Sequence, residues 1–200
     1  MSRLLFLLTL TLGLSLGAMQ SAAAQERSME TTAAVMDQTL AASEADADAQ
    51  AKHQVSRLIS QKFGVARAKA EQISTAVMSA ASKYSLPPAL LLAIISIESR
   101  FKENARGANG ATGLMQVVPS AHKKLVRNID LTEADANIEA GSAILHGYVQ
   151  SARGDVDAAL KSYGGSKAYA EKVSLQVKKI SSQFDTEPAG AQAGYWRTAN

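Results

Sequence analysis

Apolar positions recur at helical spacing through most of this chain, and the stripes end at recognisable punctuation. Val55, Leu58, Ile59 and Phe63 form one stripe, which Gly64 ends. Ile73, Ala76, Val77, Ala80, Ala81 and Tyr84 form a second, closed by Pro87-Pro88, a pair suited to open the next helix because its missing amide donors fall where a helix has no internal partner. Ala89 to Ser99 is apolar on nearly every side, which predicts a central helix. Lys102 to Thr112 has no stripe and carries two glycines and two asparagines, the pattern of an irregular loop with room for short extended pairing. Beyond Pro119 the spacing predicts a short helix around Ala121 to Arg127. A longer one on Ile138, Gly141, Ile144, Leu145, Tyr148 and Val149 stops at Gly154. Asp155 is placed to cap a helix ending at Tyr163, and Tyr169, Val173, Val177, Ile180 and Phe184 give the last stripe. There is no internal repeat.

The ends read differently. Met1 to Arg3 is a short basic start, Leu4 to Leu16 is almost unbroken Leu, Phe, Thr and Gly, and Ala22-Ala23-Ala24 offers small side chains to a peptidase. An apolar run of 13 residues is short of the roughly 20 that a spanning helix needs, so residues 1–24 read as a secretory signal and no integral membrane segment is expected after cleavage. Residues 25–51 hold one Arg and six acids (net −5) with much Ala, Gln, Ser and Thr, and read as a disordered acidic tether. Residues 52–184 hold 18 basic and 10 acidic side chains (net +8) and form the folded domain. Residues 185–200 read as a flexible tail.

Composition narrows the chemistry. With 200 residues, 46% of them apolar and 20% charged, the chain has the make-up of one globular domain with extras at its ends. The absence of cysteine excludes a disulfide framework, thiolate zinc, an iron–sulfur cluster and a thiol nucleophile. His53, His122 and His146 have no metal-ligand spacing, no serine sits in a nucleophile elbow and no phosphate-cradling loop is present, so no metal and no cofactor is expected. A basic domain favours an anionic partner, and export argues against nucleic acid.

Glu98 is the conspicuous candidate. It follows Leu90 to Ile97, so Ile94 and Ile95 lie one turn back on its own face. A carboxyl among apolar neighbours loses hydration of its charged form, its pKa rises, and it can stay protonated near neutrality as a general acid. The same local context also fits a carboxylate that faces solvent or pairs with Arg100 or Lys102. Further on, Gly110-Ala111-Thr112-Gly113-Leu114-Met115-Gln116 puts two glycines around a turn, then an apolar pair, then an amide that can donate to and accept from sugar hydroxyl and N-acetyl groups. A glycine turn leading into a core element explains that segment equally well.

Four blocks in order, Glu98-Ser99-Arg100-Phe101, Gly110 to Gln116 with Pro119, Asn137-Ile138-Glu139-Ala140-Gly141, and Ala159-Leu160-Lys161-Ser162-Tyr163, resemble the soluble lytic transglycosylases of bacterial cell walls. The resemblance covers about Ile73 to Val173. It implies a mainly α, lysozyme-like fold of the kind shared with goose-type lysozymes, in one compact helical domain with a glycan-binding cleft. It further implies cleavage of the β-1,4 bond between N-acetylmuramic acid and N-acetylglucosamine, with Glu98 as the sole acid/base and the muramoyl 6-hydroxyl as nucleophile, leaving a 1,6-anhydro end.

By the same resemblance Gln116 and Tyr163 line the sugar cleft, Tyr163 with its hydroxyl toward Glu98. Met115 is a cleft wall or core, Asn137 a cleft residue or a helix N-cap, and Ser99 a substrate contact or a brace for the end of the helix. The implied partner is peptidoglycan. The implied place is the periplasm of a Gram-negative bacterium, and small size suits local opening of the wall, for turnover or for inserting an envelope-spanning secretion or assembly machine. The competing readings are a muramidase that uses water, and a non-catalytic cell-wall-binding assembly protein.

The sequence departs from the family pattern at Lys102-Glu103, where Asn-Pro is usual, at Gly107 in place of Ser, and at Gly164-Gly165-Ser166 in place of Asn-Ala-Gly. Gly107 and Gly164 remove polar groups near the cleft. Glu103 adds a carboxylate that either raises the pKa of Glu98 further or sits in solvent.

Overall fold

In this computed structural model the backbone is described for residues 8–185 and side chains for residues 36–184. Residues 1–7 of the expected signal and residues 186–200 of the expected tail lie outside the described residues. The chain divides into two units, Met1–Asp48 and Ala49–Asn200.

The first helix, α1, runs Leu8–Phe63. It takes in the stretch read from sequence as an acidic leader. Ala, Gln, Glu, Met and Leu are all good helix formers, so the segment can hold a helix without a core-facing stripe, and its side chains from Met36 to Asp46 are exposed. Ala51, Val55 and Ile59 of α1 are all buried in the core of the second unit. No helix among the described residues is long and apolar enough to cross a membrane.

The second unit is built almost wholly of helices, with α2 at Arg67–Tyr84, α3 at Pro88–Glu98, α4 at Lys123–Val126, α5 at Ala134–Ser151, α6 at Val156–Gly164 and α7 at Lys167–Asp185. Each lies close to a stripe predicted from sequence. Pro88 occupies the first turn of α3, as its lost donor favours. Asp155 caps α6, its Oδ1 accepting from the Ala158 amide at 3.0 Å. Pairing in the irregular loop is limited to two isolated antiparallel bridges, Arg106 with Thr112 and Thr112 with Val117.

The helix α3 is the hub. It packs against α2 and α7, while α5 packs against α2 and α6, and α6 against α7. Residues Pro88 to Ser96 are all buried, and at about 1.5–3 kcal/mol for each large apolar side chain withdrawn from water this helix carries a large share of the core. Polar ties fix its neighbours. Ser74 of α2 donates to the Lys52 carbonyl of α1 at 2.5 Å, and Tyr84 of α2 donates to Glu139 of α5 at 2.6 Å, with Lys83 on the same carboxylate. Only the last turn of α3, Ile97 and Glu98, begins to emerge from the interior.

Candidate active site

Glu98 is half-buried at the C-terminal end of α3. Immediately after it the chain turns sharply: Arg100 and Phe101 both adopt left-handed backbone, with φ of 52° and 62°, a conformation that costs a non-glycine residue about 1–2 kcal/mol. Burial of Phe101 offsets that cost. Its ring lies 4.5 Å from that of Phe63, the last residue of α1. Ser99 is buried and donates to the Ile95 carbonyl at 3.1 Å, so its hydroxyl holds the end of the helix.

Loss of water around Glu98 raises its pKa above the usual carboxylate value, and the Tyr169 hydroxyl and the Lys172 ammonium, both on α7, oppose that rise. No carboxylate is among the groups that shift it. Glu103 does neither of the two things expected from sequence. Its Oε2 pairs with Lys69 of α2 at 3.0 Å, which draws the side chain into the fold and ties the loop after α3 to α2.

Two tyrosines stand at the acid. Tyr163 of α6 donates to the Met115 carbonyl at 2.9 Å. Burial raises its pKa, and the nearby charge of Glu98 raises it further. Tyr169 is shifted the same way, first by burial and then by Glu98. Its hydroxyl is electrostatically coupled to Glu98, yet it is buried without a hydrogen bond of normal length and angle. Beyond Tyr163 a row of half-buried rings continues, with Tyr148 at 6.4 Å and His122 a further 6.4 Å from Tyr148, both edge-on.

The glycine turn forms the other part of the site. Asn137, the fourth residue of α5, is 1% exposed. Its Oδ1 accepts from the Met115 amide at 2.8 Å, and its Nδ2 donates to the carbonyls of Thr112 at 2.8 Å and Leu131 at 2.9 Å. The side chain is thus a clamp on the turn, and α5 has its N-cap at Glu133 instead. Gly113 has a φ of 81°, and a Cβ there would overlap Asn137 Nδ2. Met115 is fully buried, with the Ser142 hydroxyl 3.9 Å from its sulfur. Gln116, at a φ of 49°, turns its amide inward to donate to the carbonyls of Ala105 at 3.1 Å and Gly113 at 2.9 Å. Gly107 lies against this amide: a Cβ at that position would require the Gln116 side-chain end to shift.

The structure therefore brings Glu98 and Tyr163 together, fixes Gln116 beside the turn, and commits the polar atoms of Ser99 and Asn137 to the backbone. Sequence reading took Tyr169 for a member of an ordinary helical stripe, gave no reading of Lys172, and found in His122 only a histidine without metal-ligand spacing. The one signal for Tyr169 was the unusual Gly164-Gly165-Ser166 that precedes it. Among the described residues no group of His, Asp and Glu is arranged to hold a metal ion.

A half-buried carboxyl at the end of a buried helix, short of water and beside two phenols, is the candidate site on a largely helical scaffold. The family model for the transglycosylase SLT domain matches residues 75–183, more than half of the chain, and the protein belongs to that family. Among solved structures it is similar to an inactive Glu-to-Gln mutant of the lytic transglycosylase Slt from Pseudomonas aeruginosa, with a TM-score of 0.51 and 21% identity. That match covers 56% of this chain and 24% of the other, so the likeness is one of fold over a quarter of the larger protein.

Proposed function

We propose that this protein is a peptidoglycan lytic transglycosylase in which Glu98 is the single general acid and base. One observation carries the reading: Glu98 is withdrawn from water, its proton is held more tightly than usual, and no carboxylate is among the groups that shift it. Glycosidases that use water or a glycosyl-enzyme ester generally need a second Asp or Glu at a defined separation. An acid whose pKa no other carboxylate shifts suits a reaction whose nucleophile belongs to the substrate.

Glu98 gives its proton to the glycosidic oxygen as the bond from that oxygen to the muramoyl C1 breaks, and N-acetylglucosamine leaves with a free 4-hydroxyl. The muramoyl 6-hydroxyl oxygen then bonds to C1, and its proton passes to the Glu98 carboxylate. The product is a 1,6-anhydro-muramoyl end, the acid is regenerated and no water is consumed. Stabilisation of the neutral acid by desolvation favours the first step, and the Tyr169 hydroxyl and Lys172 favour the carboxylate needed for the second. Half-buried Tyr148 and His122, edge-on beyond Tyr163, support an aromatic stretch of the glycan-binding surface. The solved relative is described as an inactive Glu-to-Gln mutant, which supports an indispensable carboxylate in that enzyme.

The apolar run of residues 4–16 and the small residues at 22–24 support export, with residues 25–51 as a leader ahead of the catalytic domain. A cell-wall substrate supports a periplasmic site of action. The test is mass spectrometry of muropeptides from purified sacculi treated with the mature protein. Anhydro-ended products that vanish with Glu98→Gln support the proposal. Hydrated reducing ends would replace it with a muramidase, and binding of sacculi without any release would replace it with a wall-binding protein.

A further inference from the structure

The ends of α1 and α7 together line a groove, and none of its lining residues belongs to the site at Glu98. Its walls include Gln54, Arg57, Leu58, Gln61 and Lys62 of α1 and Phe184 of α7, around a volume of about 420 Å³. That lies within the roughly 300–1,000 Å³ of a ligand-sized cleft. Leu58 and Phe184, both half-buried, give it an apolar surface, Arg57 and Lys62 give it two positive charges, and no acid lines it.

A fitting occupant follows directly in the sequence. Phe184 lines the groove, and α7 ends one residue later, at Asp185. Glu187 brings an acid within two residues of that helix end, and Pro188 disfavours continuation of the helix. Residues 189–194 are Ala, Gly and Gln alone, and Tyr195 and Trp196 come next, Trp196 being the one tryptophan of the chain. A stretch as long as Glu187 to Tyr195 reaches on the order of 15 Å as a coil. That is enough to bring the two rings back over a groove at whose rim the stretch starts.

We propose that the groove between α1 and α7 is the seat of this chain's own residues 187–196: the Trp196 ring lies on Leu58 and Phe184, its indole N–H donates to the side-chain carbonyl of Gln54 or Gln61, and Glu187 faces Lys62 and Arg57. An indole suits such walls because it has an apolar body and one polar donor. Ion pairs as exposed as these contribute little, so the ring carries most of the seat and the acid sets its direction. Being tethered, the segment meets the groove at an effective concentration of about millimolar, and weak contacts suffice to fill it. The seated segment pins the end of α1. Lys62 there precedes Phe63, whose ring lies 4.5 Å from that of Phe101 in the turn that follows Glu98.

Trp196 is its own reporter. In the full chain its fluorescence should lie at shorter wavelength than in the urea-unfolded chain, and acrylamide should quench it several-fold less. Leu58→Ser, which removes apolar surface from the groove, should move emission and quenching most of the way to the unfolded values. Lys62→Glu, a charge reversal at an exposed position that the fold does not depend on, should move them part of the way, with the helical circular dichroism of both variants unchanged. Trp196→Ala should lower the melting temperature by about 2–4 °C. Native emission and quenching equal to those of the unfolded chain would overturn the proposal. A shielded Trp196 that neither groove substitution exposes would overturn it too, since its seat then lies elsewhere. Shielding that fades on dilution would assign the groove to the segment of a second copy and end the intrachain reading. None of these readouts depends on catalysis, so they stand or fall apart from the role of Glu98.

Discussion

Asn137 and Glu98 are both polar side chains withdrawn from water, and their surroundings treat them in opposite ways. Asn137 has a partner for Oδ1 and for both hydrogens of Nδ2, all on backbone, and so contributes rigidity to the Thr112–Val117 turn. Glu98 is short of water and is attended by a phenol that makes no proper hydrogen bond. A satisfied buried group has no reason to exchange protons, whereas a carboxyl pushed toward its neutral form by loss of water holds a proton it can give. The contrast separates scaffold from chemistry within one site.

The largest effect should come from the deprived side. Glu98→Gln should cut anhydro-product release by roughly 10²–10⁴-fold, read by mass spectrometry of digested sacculi. The same substitution should raise the melting temperature at neutral pH. Folding raises the pKa of Glu98, so the folded state holds the proton more tightly. The wild type therefore carries no penalty below the unfolded carboxyl pKa and loses stability as pH rises through the folded value. The difference in melting temperature between the two proteins should accordingly vanish in acid, and a gap that persisted there would remove burial of the charge as its cause.

On the satisfied side, Asn137→Ala should cost about 3 kcal/mol of stability by denaturant unfolding, because three buried backbone groups lose their partner at once. Activity at temperatures well below unfolding should fall far less than in Glu98→Gln. If instead the two variants lost activity equally while Asn137→Ala stayed folded and stable, Asn137 would belong to the chemistry and the contrast would break. Tyr163→Phe tests a side chain that touches both regions. Loss of its bond to the Met115 carbonyl should cost about 1 kcal/mol, and the rate should drop more than that stability loss explains if the hydroxyl also serves Glu98. The smallest effect belongs to the ring row: Tyr148→Leu should raise KM for long glycan strands about threefold with kcat unchanged, seen in initial rates on strands of defined length.

Much of the fold was legible in the sequence. The helices α2 to α7 follow stripes at a spacing of three and four because burying one face is what holds each of them, and the stops at Gly64, Pro87-Pro88 and Gly154 act through local backbone chemistry alone. Glu98 stood out for the same local reason, an acid one turn beyond Ile94 and Ile95. Residues 25–51 gave no such signal, because lack of an apolar stripe rules out a buried face but not a helix, which good helix formers sustain without one.

What the sequence determined by itself was what depends on neighbours along the chain: the helical periodicity, the punctuation, the net charge of each segment and the carboxyl at the end of an apolar helix. Only the tertiary structure decided that Asn137 clamps a turn, that Glu103 pairs with Lys69, that Gln116 turns its amide inward, and that the ring of Tyr169 lies against Gly164. Each of those facts depends on which distant atom fills a given space or meets a given lone pair. Close packing settles that among elements far apart in sequence, and no local pattern records it.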